Sequence, residues 1–113
     1  MPTSIGMDLL DVARLERALA RRPQIAHRLF TDRELAECQQ RARPVMHLAA
    51  RFCAKEAVVK ALRLDYCPWR EIEVLSQQNG APTVHVSPEI STREVAISLT
   101  HERTIAGAVA IVC

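Results

Sequence analysis

Residues 44 to 62, PVMHLAARFCAKEAVVKAL, begin with proline and contain neither glycine nor a second proline. Proline suits a first helical turn, where its missing amide proton has no intrahelical partner anyway. The stretch therefore predicts a single helix of about five turns. Its only polar side chains are His47, Arg51, Lys55, Glu56 and Lys60. A helix apolar on nearly every side has to be covered by the rest of the chain. With 113 residues there is enough sequence for one core and none for a second, so residues 1–113 are expected to form one domain.

The flanking segments supply the cover. SIGMDLLDV reads as a short buried strand running into a helix start, with Asp8 at the join; Val12, Leu15 and Leu19 then keep helical period until Pro23 stops the run. Thr31 followed by Glu34 is a capping box, in which two side chains satisfy orphan amides reciprocally. Beyond residue 68 the pattern turns to strands. EIEVLS and TVHV flank QQNGAP, whose Asn-Gly pair marks a hairpin turn. EVAISLTH and TIAGAVAIV form a second hairpin across HERT, and the unbroken apolar character of the last run predicts burial on both faces. The fold class is α+β: helices in the first half, packed on a small antiparallel sheet formed mainly by the C-terminal half.

Charge and cysteine content narrow the function. A formal net charge of +2 is too small for wholesale nucleic-acid binding. It is unevenly placed, however: Arg14, Arg17, Arg21, Arg22 and Arg28 stand against the single acid Glu16, a face suited to an acidic partner. That face has no interleaved aromatics for stacking bases, which ranks a nucleic-acid module low. Cys38, Cys53, Cys67 and Cys113 form no C-x-x-C pair, so free thiols in a reducing cytoplasm fit best. The N-terminus lacks the pattern of a signal peptide and no apolar run is long enough to span a bilayer, so no membrane association is expected.

On a helix Glu56 and Lys60 lie one turn apart, as do Arg51 and Lys55 on an adjacent face. Such pairs are commonly solvated ion pairs contributing a few tenths of a kcal/mol. On a helix this apolar, a carboxylate and an ammonium need further partners, and a metal ion is one. Asp8 is the natural second carboxylate. Two acids with open coordination positions suit Mg²⁺, which keeps its waters and takes substrate phosphates. Phosphoryl transfer uses such an ion, with a lysine beside it. His101, in the LTHERT turn, is on its own most simply a solvated histidine.

IGMDLLDVARLERAL, RLFTDRELAEC, LAARFCAKEAVVKAL, WREIEV, NGAPTVHV and ISLTHERTIAGAVAIV follow one another in the order and rough spacing seen in one family. The chain resembles the holo-acyl-carrier-protein synthases, the small phosphopantetheinyl transferases, over nearly its whole length. The pairing of G-x-D with R-F-x-A-K-E-A-x-x-K-A is the specific part. The resemblance implies the phosphopantetheinyl transferase fold. It also implies Mg²⁺-dependent transfer of the phosphopantetheine arm of coenzyme A to a serine of an apo acyl carrier protein, releasing adenosine 3',5'-bisphosphate. By position, Asp8 and Glu56 would hold the metal, Lys60 would stand beside the transferred phosphoryl group, and Arg51 and His101 would lie near coenzyme A. Glu56, Lys60 and His101 are thus the expected catalytic set. Arg14, Arg21 and Arg28 would dock the acidic carrier. The resemblance also implies a homotrimer with sites between subunits, and it accounts for both lysines by their bordering a metal-holding glutamate.

Two segments depart from the family pattern. RLDYCPW, after the long helix, is shorter than the usual loop and has no glycine with which to approach phosphates, and SPEISTREV is too short for the helix that commonly precedes the last hairpin. The first departure motivates an alternative, a catalytically weak paralogue that binds carrier protein or coenzyme A as a scaffold or regulator.

Overall fold

A computed structural model describes residues 2–113. Strand β1 (Ser4–Asp11) leads into α1 (Val12–Arg21), α2 (Ile25–Leu29), α3 (Asp32–Gln39) and the long α4 (Pro44–Leu62). A 3₁₀ turn (Trp69–Glu71) precedes β2 (Ile72–Ser76), β3 (Pro82–Val86), β4 (Val95–His101) and β5 (Ile105–Val112). The strands form a three-stranded antiparallel sheet, β1-β5-β4, and a separate β2-β3 hairpin. The expected α+β arrangement holds, with β1 as the first half's contribution to the larger sheet.

The central helix is covered as its composition demands. Ala49, Ala50, Cys53, Ala54, Ala57, Val58 and Ala61 are buried, and the small side chains let the sheet approach closely. Gly6 marks the closest point: a Cβ there would collide with the Ala57 carbonyl oxygen and stand 2.8 Å from the Ala61 amide nitrogen. Strand alternation then turns Gly6, Asp8 and Leu10 toward α4, and Ile5, Met7 and Leu9 away from it.

Several expectations need correction. Asp8 is not at the end of its strand. β1 stays paired with β5 through Asp11, Asp8 lies opposite Ala108, and it is Asp11 that caps α1 by accepting from the Ala13 amide at 3.0 Å. Neither β1 nor β5 is buried on both faces. Ala106, Ala108 and Ala110 are sealed against α4, while Ile5, Met7, Leu9, Ile105 and Ile111 form an exposed apolar patch on the other face. The continuous run of β5 thus has one face covered within the chain. His101 is the last residue of β4 rather than a turn residue, because the strand pairs on to Ala106. The segment before β4 forms a single turn in which the Ile90 and Ser91 amides donate to the Ser87 carbonyl, so no helix stands there.

Lys55 departs most from expectation. It is fully buried and its ammonium donates to the carbonyls of Leu29 and Trp69 and to Glu34 Oε1, each at 2.7 Å. Glu34 also accepts from the Thr31 amide, completing the capping box, and through Oε2 from the Val74 amide at 2.7 Å. All three ammonium donors are therefore used. The knot ties α3, α4, the 3₁₀ turn and β2 together, and Lys55 borders this knot rather than a metal site.

Candidate active site

The residues singled out by sequence fall into three places. Asp8 and Glu56 come together under Lys60, whose ammonium donates to the Met7 carbonyl at 2.8 Å and lies 3.5 Å from Asp8 Oδ1. The proximity of Gly6 to α4 sets this geometry, because it seats the Asp8 side of β1 directly on the helix turn that carries Glu56. Burial first, then the negative charge of Asp8, pushes the Glu56 carboxyl above its ordinary value, with Lys60 opposing. Cys53, one turn before Glu56, donates to the Ala106 carbonyl at 3.5 Å, and burial followed by the negative charge of Asp8 drives its thiol up to about 12. Cys67 is likewise raised to about 12 by burial and then by Glu56. Both thiols are therefore protonated, and neither is a nucleophile at neutral pH.

Two close carboxylates compensated by one half-exposed ammonium have a net deficit of positive charge. Among the described residues no cluster of three or more histidine, cysteine or acidic side chains could enclose a metal. The donor set is thus unsuited to a closed structural site. It fits a hard ion that retains water and takes oxygens from a substrate.

Arg51 and His101 lie elsewhere. β5 separates β1 from β4, so His101 is two strands away from Asp8, with the body of α4 packed across the sheet between them. His101 lines a cavity of about 270 Å³ with Arg41, His47, Arg51, Ser76 and Leu99. Arg51 is buried in its wall: the guanidinium donates to the carbonyls of Val74 and His47, to Ser76 Oγ and to Glu37. It shapes the cavity and is largely neutralised by Glu37. Arg41 and His47 were not among the residues chosen from sequence. His47 precedes Arg51 by one turn of α4, and that i, i+4 spacing was the available signal.

Arg14, Arg21 and Arg28 are all exposed on α1 and α2. Arg14 borders an apolar groove lined by Leu10, Leu15, Ala18, Leu29 and Phe52. The groove leads toward the carboxylates, since Leu10 is two residues beyond Asp8 on the same strand face and Phe52 is one turn before Glu56.

After α4, Arg63 adopts the left-handed conformation, φ 59°, at the helix C-cap. Glycine would take that conformation without strain. The loop that lacks glycine thus still makes the turn glycine would make.

Residues 4–113 match the family model of the 4'-phosphopantetheinyl transferase superfamily. A holo-[acyl-carrier-protein] synthase of Moorella thermoacetica is 42% identical over 116 residues, covering 95% of this chain and 91% of that protein. The crystal structure of the holo-[acyl-carrier-protein] synthase of Neisseria meningitidis superposes with a TM-score of 0.85 at 28% identity, covering 97% of each chain. That of Bacillus anthracis, in complex with coenzyme A (3',5'-ADP), gives 0.82 at 26% identity, covering 96% of this chain and 94% of that one. The chain belongs to the 4'-phosphopantetheinyl transferase superfamily, among the holo-[acyl-carrier-protein] synthases.

Proposed function

We propose that the protein transfers the phosphopantetheine arm of coenzyme A to a serine hydroxyl of an apo acyl carrier protein. The serine oxygen forms a bond to the phosphorus bearing the pantetheine arm, the pyrophosphate bridge to the nucleotide breaks, and adenosine 3',5'-bisphosphate leaves. The observation that carries this reading is the convergence of Asp8 and Glu56 beneath Lys60, at the end of a groove edged by arginine. Asp8 and Glu56 would hold Mg²⁺, which supplies neutralising charge to the pyrophosphate when bound. Lys60, anchored by the Met7 carbonyl, presents its ammonium to the transferred phosphoryl group. Arg14, Arg21 and Arg28 receive the acidic carrier, and the groove beside Arg14 takes an apolar side chain from it.

His101, near coenzyme A by family position, stands on the far side of α4 from Lys60. A site shared between copies accounts for this: one copy gives the carboxylates and Lys60, its neighbour gives the His101 cavity. The apolar patch of Ile5, Met7, Leu9, Ile105 and Ile111 is the face available for that assembly, which we take to be a homotrimer. Four free cysteines fit the cytoplasm.

Incubation with apo carrier, coenzyme A and Mg²⁺, followed by intact-mass measurement, tests the reading. A phosphopantetheine adduct on the carrier is the expected result. No adduct on several carriers that an established synthase modifies would leave the scaffold reading in its place.

A further inference from the structure

Helix α2 is five residues long and gives no buried residue to the core. A helix this short does not persist on its own propensity, and its N-cap, Gln24, makes no side-chain bond to it. Its far end is fixed by Phe30, fully buried just beyond Leu29. One buried anchor at one end leaves the direction of the helix to be set by something else.

Arg70, on the 3₁₀ turn, supplies it. One guanidinium nitrogen, Nη1, donates to the carbonyls of both His27 and Phe30, each at 2.7 Å. The first acceptor belongs to the body of α2 and the second to its anchor, so the arginine ties the helix to the point on which it would otherwise pivot. The Leu29 carbonyl between them is taken from inside by Lys55. Cationic donors at a helix C-terminus also oppose its dipole. The other contact of Arg70, Nη2 to Asp32 Oδ1 at 3.7 Å, joins two well-exposed groups and adds little.

Across two hollows α2 faces α1. Leu29 lines the groove beside Arg14, and Ile25 closes a second hollow with Ala18, Arg21 and Arg22. Arg28 is exposed on the same short helix. We propose that Arg70 is a positioning residue for the carrier: by fixing the direction of α2 it sets the width of both hollows and the spacing of Arg28 from Arg14 and Arg21. It acts through α2 and not at the centre formed by Asp8 and Glu56. The inference rests on the transferase reading for the identity of the partner.

Arg70→Met and Arg70→Lys test this. Arg70→Met should weaken calorimetric affinity for apo carrier, and raise KM for the carrier, by about fivefold to tenfold, with kcat and KM for coenzyme A within about twofold of the wild type. Because a single nitrogen serves both carbonyls, an ammonium can stand in for it, and Arg70→Lys should recover much of the loss. In carrier-free protein the Phe30 amide, bonded to the Ala26 carbonyl at 3.0 Å, should exchange with deuterium about tenfold faster in Arg70→Met, with exchange in α4 unchanged. Unchanged carrier affinity would overturn the proposal, as would an equal loss in the two variants. Weakened affinity with α2 exchange as slow as in the wild type would also overturn it, making Arg70 a direct contact. Carrier binding that Arg70→Met weakens, in a protein that transfers nothing, would keep the positioning role and remove the transferase reading.

Discussion

Lys55 uses its three ammonium protons on two carbonyls and Glu34, wholly inside the protein. Replacing it with methionine would leave the Glu34 carboxylate buried without its counter-charge, and a loss of about 3–5 kcal/mol in urea unfolding is expected. Lys55→Arg should not restore the loss, because a planar fork cannot converge on three acceptors set around a point charge. Glu56 carries the opposite expectation. Its carboxyl titrates higher in the folded chain than in the unfolded one, so in metal-free protein it erodes stability as pH rises between those two values, and the deficit persists at pH 7. Glu56→Gln should therefore abolish transfer yet raise the metal-free Tm at neutral pH; Mg²⁺ should raise the wild-type Tm further and leave the variant's unchanged. An unaltered transfer rate would remove Glu56 from the centre. Spacing alone placed Glu56 and Lys60 on one face. It set Lys55 on an adjacent face but could not show its burial, because the groups that enclose it arrive from α3 and the 3₁₀ turn, remote in sequence.

At the scale of elements, the contact between β1 and α4 positions the chemistry. Gly6→Ala should destabilise the fold by about 3 kcal/mol, because the new methyl meets helix backbone that cannot rotate away. Near-wild-type denaturation would mean that strand and helix lie further apart than described. The ends of α4 were readable from Pro44 and from the strand chemistry beyond it, and the β2-β3 turn from Asn79-Gly80, whose glycine has φ 87°. The extent of β1 was not. Asp8 looks like a strand end because charge usually is, but here an inward-facing acid is tolerated beside Lys60, and pairing with β5 carries the strand on to Asp11.

At the scale of the whole molecule, the basic face and the apolar sheet face make separate predictions. Charge reversal at Arg14 and Arg21 should raise KM for the carrier roughly tenfold at low salt and less at high salt, leaving KM for coenzyme A unchanged. An unaltered KM for the carrier would place the docking surface elsewhere. The basic face was legible because five arginines face one acid over a short span. The separation of Asp8 from His101 within one copy was not, since the helical period gives a residue's face and not the strand order that sets the two apart. The central claim is that one copy's Asp8, Glu56 and Lys60 work with the neighbour's His101. Transfer rate in mixed assemblies tests it most directly. Glu56→Gln and His101→Ala, each depressed alone, should recover about a quarter of the wild-type rate when unfolded together and reassembled one to one, because each mixed trimer regains one intact site. A mixture no faster than the average of the two variants would contradict it.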